Sequence, residues 1–353
     1  MKIRVIAATQ PNEWNGFLQR LVHSDVYFSA EYHLAHELNG DGTALSFVVE
    51  DGEKTLFHPF LIRLIPEFGL NDEQHDIESV YGYSGPLSNN GDRKFLTEAW
   101  AAFSDWCRQQ NVVAEFIRFH PLLDNKNSLE GFAKVSPDRE TVLINLDGTP
   151  DSLWASYPSA QRSKIRRAQN EGLVCRNQAL REGLPEFRCL YKQTMQNVGA
   201  AAYYFFGDAY FENLACSLNE HGRIFSVYKA DRVIASALFL YHAPFLHYHL
   251  GGSDPAHRDA RPNNLLFHTA ALWGQDHGCR WLHLGGGRTS APDDELLRFK
   301  SSFSQERRVF YTGRRVHCQK TYDWLCAEWM KQNNVTERPP YFLLYRLPIQ
   351  SVI

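Results

Sequence analysis

Four basic side chains lie within six residues near the middle of the chain. The segment RSKIRRAQNEG, residues 162–172, contains Arg162, Lys164, Arg166 and Arg167. Guanidinium and ammonium groups donate hydrogen bonds to phosphate and carboxylate oxygens, so these residues could form an anion site. The alternative is a solvated linker helix whose cations pair with acidic residues on either domain.

The basic segment is predicted to form a helix from about 159 to 171. On a 3.6-residue period, Ile165 and Ala168 mark its buried stripe and the cations flank that stripe. A preceding helix is predicted to start at Thr149, a good N-cap residue followed by Pro150 at the first helical position. Both helices lie in the connection between the two halves of the chain.

Composition limits the classes of function. The 353 residues are 44% hydrophobic, and 37 Lys and Arg nearly balance 40 Asp and Glu; the calculated pI is near 6.6. We expect two globular domains and no general DNA-binding surface, so any anion site is local. The seven cysteines are scattered without a CxxC pair, which predicts neither disulfides nor a zinc site. No signal peptide or transmembrane segment is predicted, and we expect a cytoplasmic protein without a bound metal.

The same order of elements occurs twice along the chain. The first half is predicted to contain helices near 10–23 and 31–40, then strands 44–50 and 55–65 joined by a turn at Asp51-Gly52. A short strand ending in YGYSGP, a helix 93–110, a strand 112–120, a weak helix and a strand 140–146 follow. The second half is predicted to contain helices near 184–198 and 208–221, strands 223–230, 232–242 and 245–253, a helix 262–277, a strand 279–286, a short helix near 293–303 and a strand 307–313. Two copies of one mixed α/β fold explain this repeat.

The predicted division therefore has four parts: an N-terminal domain (1–147), linker helices (148–175), a C-terminal domain (176–335) and a final strand (336–353) that completes a sheet. The order of helices and strands is that of GNAT acyltransferases. The strings SAQRSKIRRAQNEGL, YHLGGSDPAHRDARPNNLLFHTAALWGQDHGCRWLHLGGG and LLRFKSSF also resemble the FemAB family, most strongly over about 140–315. The fold class implied is α/β, with two tandem GNAT-like domains.

The resemblance implies a function. FemAB proteins attach amino acids from aminoacyl-tRNA to peptidoglycan precursors and have acyltransferase relatives in capsule and exopolysaccharide clusters. In similar proteins the linker helix lies beside the substrate cleft between the domains. Arg162, Lys164 and Arg166 are therefore candidate ligands for an anionic acceptor linked to a nucleotide or lipid, or for a donor phosphate.

The start of the helix near 262 is a candidate donor site. Acyl-CoA enzymes of the GNAT type carry a glycine-containing loop there, whose backbone N–H groups bind pyrophosphate at the helix N-terminus. Here the loop lacks both glycines, and side chains obstruct close approach of the backbone to a pyrophosphate. An anion could still be attracted to this helix start; the alternative is a surface loop. The candidate donor-binding residues are Arg258, Arg261, Asn263 and Asn264.

Phe299 and Lys300 match the Phe-Lys pair that the FemAB family carries at the acyl-donor end. Acyl transfer to an amine builds negative charge on the carbonyl oxygen, which a cation could stabilise. Lys300 is therefore the first catalytic candidate, or a ligand of a donor phosphate, with Phe299 beside it. The alternative is an ordinary solvated lysine on a short helix.

Three further residues are candidates on adjoining segments. His249 lies on the strand FLHYHLGGS, whose Gly251-Gly252 end permits the bulge that separates two strands in GNAT-like domains. Tyr83 occupies the corresponding place in the first half, and Arg288 follows a glycine run after a strand. The alternatives are polar positions on a half-exposed strand for the histidine and a simple turn for the arginine.

The sequence thus predicts transfer of an acyl or aminoacyl group to an amine by direct attack, with acyl-CoA or aminoacyl-tRNA as co-substrate and no tightly bound cofactor. The general base is left open among Asp293, Asp294 and Glu295. The missing glycines favour a donor other than CoA, but a helical arm found in some tRNA-using relatives is also missing. The alternative function is a catalytically degenerate GNAT pair that binds a sugar or peptide during polysaccharide or cell-wall assembly.

Overall fold

The computed structural model describes residues 1–21, 24–65, 68–70, 72–200, 204–291 and 293–348. The strands are β1 (Lys2–Ala7), β2 (Thr43–Asp51), β3 (Lys54–Leu64), β4 (His75–Glu78), β5 (Leu87–Ser88), β6 (Val112–Arg118), β7 (Lys134–Asn145), β8 (Leu173–Ala179), β9 (Gly222–Lys229), β10 (Arg232–His242), β11 (Phe245–Ser253), β12 (Trp281–Gly285) and β13 (Arg307–Val316). The helices are α1 (Pro11–Leu18), α2 (Ala30–Leu38), α3 (Arg93–Gln109), α4 (Pro150–Ser156), α5 (Ser159–Asn170), α6 (Leu180–Asn197), α7 (Asp208–Ser217), α8 (Pro262–Asp276), α9 (Glu295–Ser301) and α10 (Gln319–Gln332).

The chain forms two compact units, one of residues 1–137 and 310–353 and the other of residues 138–309. The strand order in the first unit is β1-β2-β3-β4-β6-β13, with β5 beside β3. The order in the second unit is β7-β12-β11-β10-β9-β8. In each unit one central pair is parallel, β4 with β6 and β11 with β12. The predicted α/β class with two GNAT-like repeats is confirmed.

The first unit is built around aromatic side chains under α3. Phe47, Phe60, Trp100 and Phe103 are each at most 1% exposed and pack together. Helix α3 contacts β2, β3 and β6. A second cluster, which includes Leu325 of α10 and Val113 of β6, covers another part of this unit. Burial of these side chains stabilises the unit through removal of apolar surface from water.

The second unit has its largest core under α5 and α8. Ile165 and Ala168 of α5 are fully buried in this core, and α5 contacts α8 and β8, which confirms the stripe predicted for the basic helix. Helix α6 contacts β9, β10 and β11. The preceding helix α4 begins as predicted: the Thr149 side chain accepts a hydrogen bond from the Ser152 N–H, and the Ser152 hydroxyl oxygen accepts one from the Thr149 N–H.

The structure divides the chain differently from the sequence-based scheme. The predicted linker, residues 148–175, belongs to the second unit because its buried stripe is part of that unit's core. Residues 310–335, predicted in the C-terminal domain, belong to the first unit. The reason is that Thr312–Val316 of β13 form an antiparallel ladder with residues 114–118 of β6.

The predicted C-terminal strand is wrong over the part that the structure describes. Residues 344–346 form a 3₁₀ turn instead, and 349–353 lie outside the described residues. The apolar side chain of Leu344 is buried against α10, and the Trp329 indole N–H of α10 donates to the Leu347 carbonyl. Hydrophobic burial against a helix therefore replaces strand pairing here.

Candidate functional site

The central feature of the second unit is an opening between β11 and β12. These parallel strands pair only at residues 245–247 with 281–283. Beyond that point β11 continues beside β10, and Gly285 of β12 pairs with Val142 of β7. The two strands therefore separate after His247 and His283, leaving backbone groups of their following residues outside the β11–β12 ladder.

A bulge accompanies the separation, but not at the glycines where the sequence placed it. Leu238 of β10 faces Leu250, and the next residue, Phe239, faces Tyr248, so His249 is the extra residue of β11. Gly251 and Gly252 serve packing instead. A Cβ on Gly252 would lie 2.6 Å from the Leu190 carbonyl carbon and oxygen of α6.

His249 is nearly buried, contrary to the half-exposed strand expected from its spacing. It is 7% exposed, and its Nε2 lies 3.0 Å from the hydroxyl of Tyr210 in α7. The strand is covered on this side because α6 and α7 pack together and α6 covers β11. The ring of Tyr248, the preceding residue, contacts Phe267 of α8.

Lys300 lies at the opening. Its Nζ donates a hydrogen bond of 2.7 Å to the carbonyl oxygen of Gly286, just past β12. The same Nζ is 5.2 Å from the ring centroid of Tyr248 on β11, within the range of a cation–π contact. One ammonium group thus contacts residues that follow the separation on both strands.

The Lys300 side chain is 4% exposed. Burial and, to a smaller extent, the nearby charge of Arg139 lower the pKa of Lys300 to about 7, while the charge of Asp294 opposes this shift. The side chain can therefore exchange a proton near neutral pH. Burial also raises the pKa of Tyr248 to about 12, so the neighbouring phenol is neutral.

Helix α9 is fixed at its start by Asp294. Its Oδ1 accepts from the N–H groups of Leu296 and Leu297, each at 2.9 Å. Its Oδ2 accepts from the N–H groups of Arg288 and Thr289, each at 3.0 Å. Burial opposes ionisation of Asp294, but the backbone donors keep its pKa below the usual value. A carboxylate with four N–H donors is a helix cap, which argues against Asp294 as the general base.

Arg139 of β7 holds the segment that accepts the Lys300 hydrogen bond. Its Nη1 lies 3.2 Å from the carbonyl oxygens of Gly287 and Arg288. A Cβ on Gly286 would lie 2.9 Å from Cδ of Arg139, so the arginine stem packs directly on this glycine. Arg139 is not among the residues predicted from the sequence, since nothing in the order of residues relates it to a turn nearly 150 positions later.

Phe299 and Arg288 are positioned differently from Lys300. The Phe299 ring packs against Phe267 and Phe303, with centroids 5.8 Å away in both cases; this contact orients α9. The Arg288 side chain is exposed, while its backbone N–H binds Asp294. Phe299 is therefore part of the core beside the opening, and Arg288 is an exposed residue of the loop that carries Gly286.

The start of α8 has side chains where GNAT enzymes of the acyl-CoA type have glycines. Arg261 adopts a left-handed conformation (φ 60°, ψ 42°) immediately before Pro262, a conformation that favours glycine. Arg258 is exposed. The Asn263 amide lies 3.4 Å from Ser253 Oγ, and the Asn264 amide donates to Gln161 Oε1 at 3.1 Å. Two of the four predicted donor ligands thus make contacts within the fold.

Gln161 is a second residue that the sequence analysis missed. It is 1% exposed, and its Oε1 accepts from Asn264 of α8 and from the hydroxyl of Ser302, which follows α9. It therefore links the basic helix to the helix that carries Lys300. The available signal was its position on the same helical stripe as Ile165.

The basic side chains of α5 make contacts with α4. Arg162 donates to the carbonyl oxygens of Ala155 (3.2 Å) and Tyr157 (2.5 Å), and the Arg166 guanidinium lies 5.3 Å from the Trp154 ring. Arg167 pairs with Glu171. Within the described parts of the chain, Lys164 makes no hydrogen bond or ion pair, and its side chain is half-buried. Arg166 likewise makes no hydrogen bond or ion pair within the described residues, so Lys164 and Arg166 remain the candidate anion ligands of the cluster.

Tyr83 lies in the first unit, whereas the other predicted site residues lie in the second. Its ring contacts Tyr27, His120 and Phe310. His120 Nε2 lies 2.8 Å from a carboxylate oxygen of Asp25. Tyr83 follows β4, which pairs in parallel with β6, so it occupies the predicted counterpart of the β11 segment.

The comparisons with known proteins agree with this geometry. Residues 159–301 match the family model described as an acetyltransferase (GNAT) domain. The chain is similar in structure to FemX, with a TM-score of 0.70 at 16% identity over 92% of this chain and 99% of FemX. None of the curated proteins matches the chain in sequence.

Two further solved structures share the fold. The C-terminal domain of a putative lysylphosphatidylglycerol synthetase from Agrobacterium fabrum has a TM-score of 0.54 at 12% identity, over 89% of this chain and 94% of that one. L-PGS from Bacillus licheniformis has a TM-score of 0.55 at 12% identity, over 92% of this chain and 96% of that one. None of the helices that the structure describes is both long and apolar enough to cross a bilayer. Residues 159–301 thus match an acetyltransferase (GNAT) domain, and the chain shares the fold of FemX.

Proposed function

We propose that this protein transfers an acyl or aminoacyl group from an activated donor to an amine of a cell-envelope precursor. The acceptor would be a peptidoglycan peptide, or a sugar linked to a nucleotide or lipid. FemX, L-PGS and the C-terminal domain of a putative lysylphosphatidylglycerol synthetase share its fold, and the product named for the putative synthetase is an aminoacylated lipid. These likenesses support the class of reaction and of acceptor.

The observation that carries the proposal is the position of Lys300 at the β11–β12 opening. An amine that attacks a thioester or ester carbonyl forms a carbon–nitrogen bond and places negative charge on the carbonyl oxygen. The thiolate or the tRNA ribose oxygen then leaves, and the amine loses a proton. An ammonium group has three N–H donors, and one of those on Lys300 binds Gly286. The other two can stabilise the oxyanion.

The general base is a separate question. Asp294 acts as the cap of α9, which leaves the exposed Asp293 and Glu295 of the original three. Since an acceptor amine that arrives neutral needs no base before its attack, the proposal rests on carbonyl polarisation by Lys300 and orientation of the two substrates.

The donor is an acyl thioester or an aminoacyl-tRNA. GNAT domains use acyl-CoA as co-substrate, but Arg261 occupies a backbone conformation that suits glycine, in the loop that would approach a pyrophosphate. That observation favours a donor whose phosphates do not bind close to the α8 backbone. It also favours the second candidate function, a GNAT pair that binds a sugar or peptide without catalysis.

Transfer assays distinguish these functions. The protein is incubated with radiolabelled acetyl-CoA or with tRNA charged with a radiolabelled amino acid, and with amine-containing peptidoglycan and sugar-nucleotide precursors. We expect label in one acceptor with one donor, and thermal stabilisation of the protein by that donor. Stabilisation by an acceptor with no transfer from either donor would contradict the proposal and favour the binding module.

A further inference from the structure

The first unit contains a pocket whose charged lining is entirely basic. The pocket has a volume of about 490 Å³, within the range of small-molecule sites. It lies beside the C-terminal half of α3, the start of β7 and the end of β13. It is lined by Ser104, Arg108, Gly131, Phe132, Ala133, Lys134, Arg314, Arg315, Val316 and His317.

Three permanent cations from three elements face this pocket. Arg108 comes from α3, Lys134 from β7 and Arg315 from β13. Arg314 is not counted, because its guanidinium lies over the Phe342 ring and successive residues of a strand, such as Arg314 and Arg315, point to opposite faces. Arg108 pairs with Asp105, but both side chains are more than half exposed, so water and salt weaken that pair. Within the described residues, Lys134 has no acidic partner.

Arg315 is fixed in place at the pocket wall. Its side chain is 9% exposed, and its Nη2 donates to the hydroxyl of Ser104, another lining residue, at 2.9 Å. The guanidinium lies 5.2 Å from the Trp100 ring and 5.5 Å from the Phe103 ring. A guanidinium held by two aromatic rings and a hydroxyl loses little conformational freedom when it binds an anion.

The buried Glu115 lies behind Arg315 and His317 and does not line the pocket. Its Oε1 is 2.5 Å from His58 Nε2, while its Oε2 is 3.7 Å from Arg315 Nη1 and 3.5 Å from His317 Nε2. Burial opposes ionisation of Glu115, but the adjacent His58, His317 and Arg315 keep its pKa well below the usual value. This carboxylate therefore orients the two basic side chains without filling the pocket.

We propose that this pocket binds the phosphate group of a small ligand. Cations that approach from three elements match a group with several charged oxygens, whereas a carboxylate needs only one guanidinium. The pocket is concave and local, on a chain whose net charge is only −3, which favours a small ligand over the backbone of a nucleic acid. The site is independent of the transfer reaction proposed for the second unit.

Calorimetric titration of the full chain with inorganic pyrophosphate tests this assignment. We expect binding that weakens by about tenfold or more in the Arg108→Gln/Lys134→Gln double variant, since each substitution removes a charge-assisted hydrogen bond to the anion. Both positions are exposed, so the variant should fold; thermal unfolding without ligand verifies this. Arg315→Lys, which keeps the charge but loses the planar fork, should also weaken binding.

Lys2→Gln removes an exposed cation of the same unit on β1 and is the matched control. Equal weakening in this control, or unchanged binding in the double variant, would overturn the proposal. Stronger binding of acetate than of pyrophosphate at matched ionic strength would make the site a carboxylate site and contradict it. The proposal would also be contradicted if an RNA duplex bound the wild type but not the double variant, and pyrophosphate did not compete with that RNA. Lys300→Met should retain the pyrophosphate binding that the Arg108→Gln/Lys134→Gln variant weakens, whether or not the transfer proposal holds.

Discussion

Lys300 Nζ donates to the carbonyl oxygen of Gly286 at 2.7 Å, and this bond places an ammonium group where β11 and β12 cease to pair. The lysine is on a short helix whose start is capped by Asp294, and the accepting carbonyl is on a loop held by that same carboxylate. The position of the cation thus depends on Asp294, whose two carboxylate oxygens bind the backbone of α9 and the backbone of the loop.

Burial of Lys300 makes stability depend on pH. Its pKa is about 7 in the folded protein and about 10.4 in an unfolded chain, so between these values the unfolded state holds more protons. The free energy of unfolding of the wild type should therefore rise with pH, relative to Lys300→Met, by about 1 kcal/mol per pH unit from pH 7 to 10. Denaturant unfolding across this range measures it. Lys229 is exposed, so the free energy of unfolding of Lys229→Met should depend on pH in the same way as that of the wild type. The same pH dependence in Lys300→Met and wild type would mean that Lys300 is not buried.

Arg139 should position the Gly286–Arg288 loop and tune Lys300. Arg139→Met keeps the packing on Gly286 but loses the hydrogen bonds to Gly287 and Arg288, the ion pair with Asp138 and the charge. We therefore expect transfer to fall by roughly tenfold and the pKa of Lys300 to rise. Arg139→Lys keeps the charge and should leave that pKa near its wild-type value. NMR of ¹³Cε-labelled lysine measures the pKa independently of activity. An identical Lys300 pKa in Arg139→Met and wild type would contradict the electrostatic part of this role.

The basic helix should divide into structural and ligand-binding residues. Arg162→Ala removes two hydrogen bonds to carbonyl groups at the end of α4 and should lower the free energy of unfolding by about 1 kcal/mol. Lys164→Ala should leave unfolding unchanged and weaken binding of the anionic acceptor. Denaturant unfolding and acceptor titration of both variants measure this. A loss of stability in Lys164→Ala without a loss of affinity would assign that residue to the fold.

Gly252 should be intolerant of a side chain. A Cβ there would lie 2.6 Å from backbone atoms of Leu190, and backbone cannot move aside cheaply, so Gly252→Ala should destabilise the protein by at least about 1–3 kcal/mol. Gly16→Ala, with open space at its Cβ, should be neutral or stabilising because alanine favours helices. Thermal unfolding compares the two. Equal melting temperatures would show that α6 does not pack this closely on β11.

Local patterns predicted much of this fold. Strand alternation and the turn at Asp51-Gly52 predicted the β2–β3 hairpin, where Gly52 indeed has φ +60°, and the Thr149-Pro150 start predicted α4. Strands β1, β5 and β8 and helix α10 were missed. Strands β1 and β8 carry polar and charged residues among their apolar ones because each pairs with one neighbour only. Helix α10 was overlooked because its residues were assigned to the end of the second repeat.

The candidate site was less accessible to sequence reasoning. Lys300 was selected from a short motif, whereas its burial and its contacts with Gly286 and Tyr248 depend on chain segments up to 52 residues away. The bulge was assigned to Gly251-Gly252 because glycine permits it, but His249 occupies it, and the glycines admit α6. Arg139 and Gln161 act through tertiary contacts that no local spacing encodes.

The most direct test of the central claim is the single-turnover rate of acyl transfer at saturating donor, compared between wild type, Lys300→Met and Lys300→Arg. Removing a cation that stabilises the oxyanion should lower the rate in Lys300→Met by roughly 100-fold or more. The wild-type rate should fall relative to Lys300→Arg as pH rises through about 7, because arginine keeps its charge. A Lys300→Met enzyme that transfers the acyl group at the wild-type rate would contradict the claim that Lys300 lies at the reacting carbonyl.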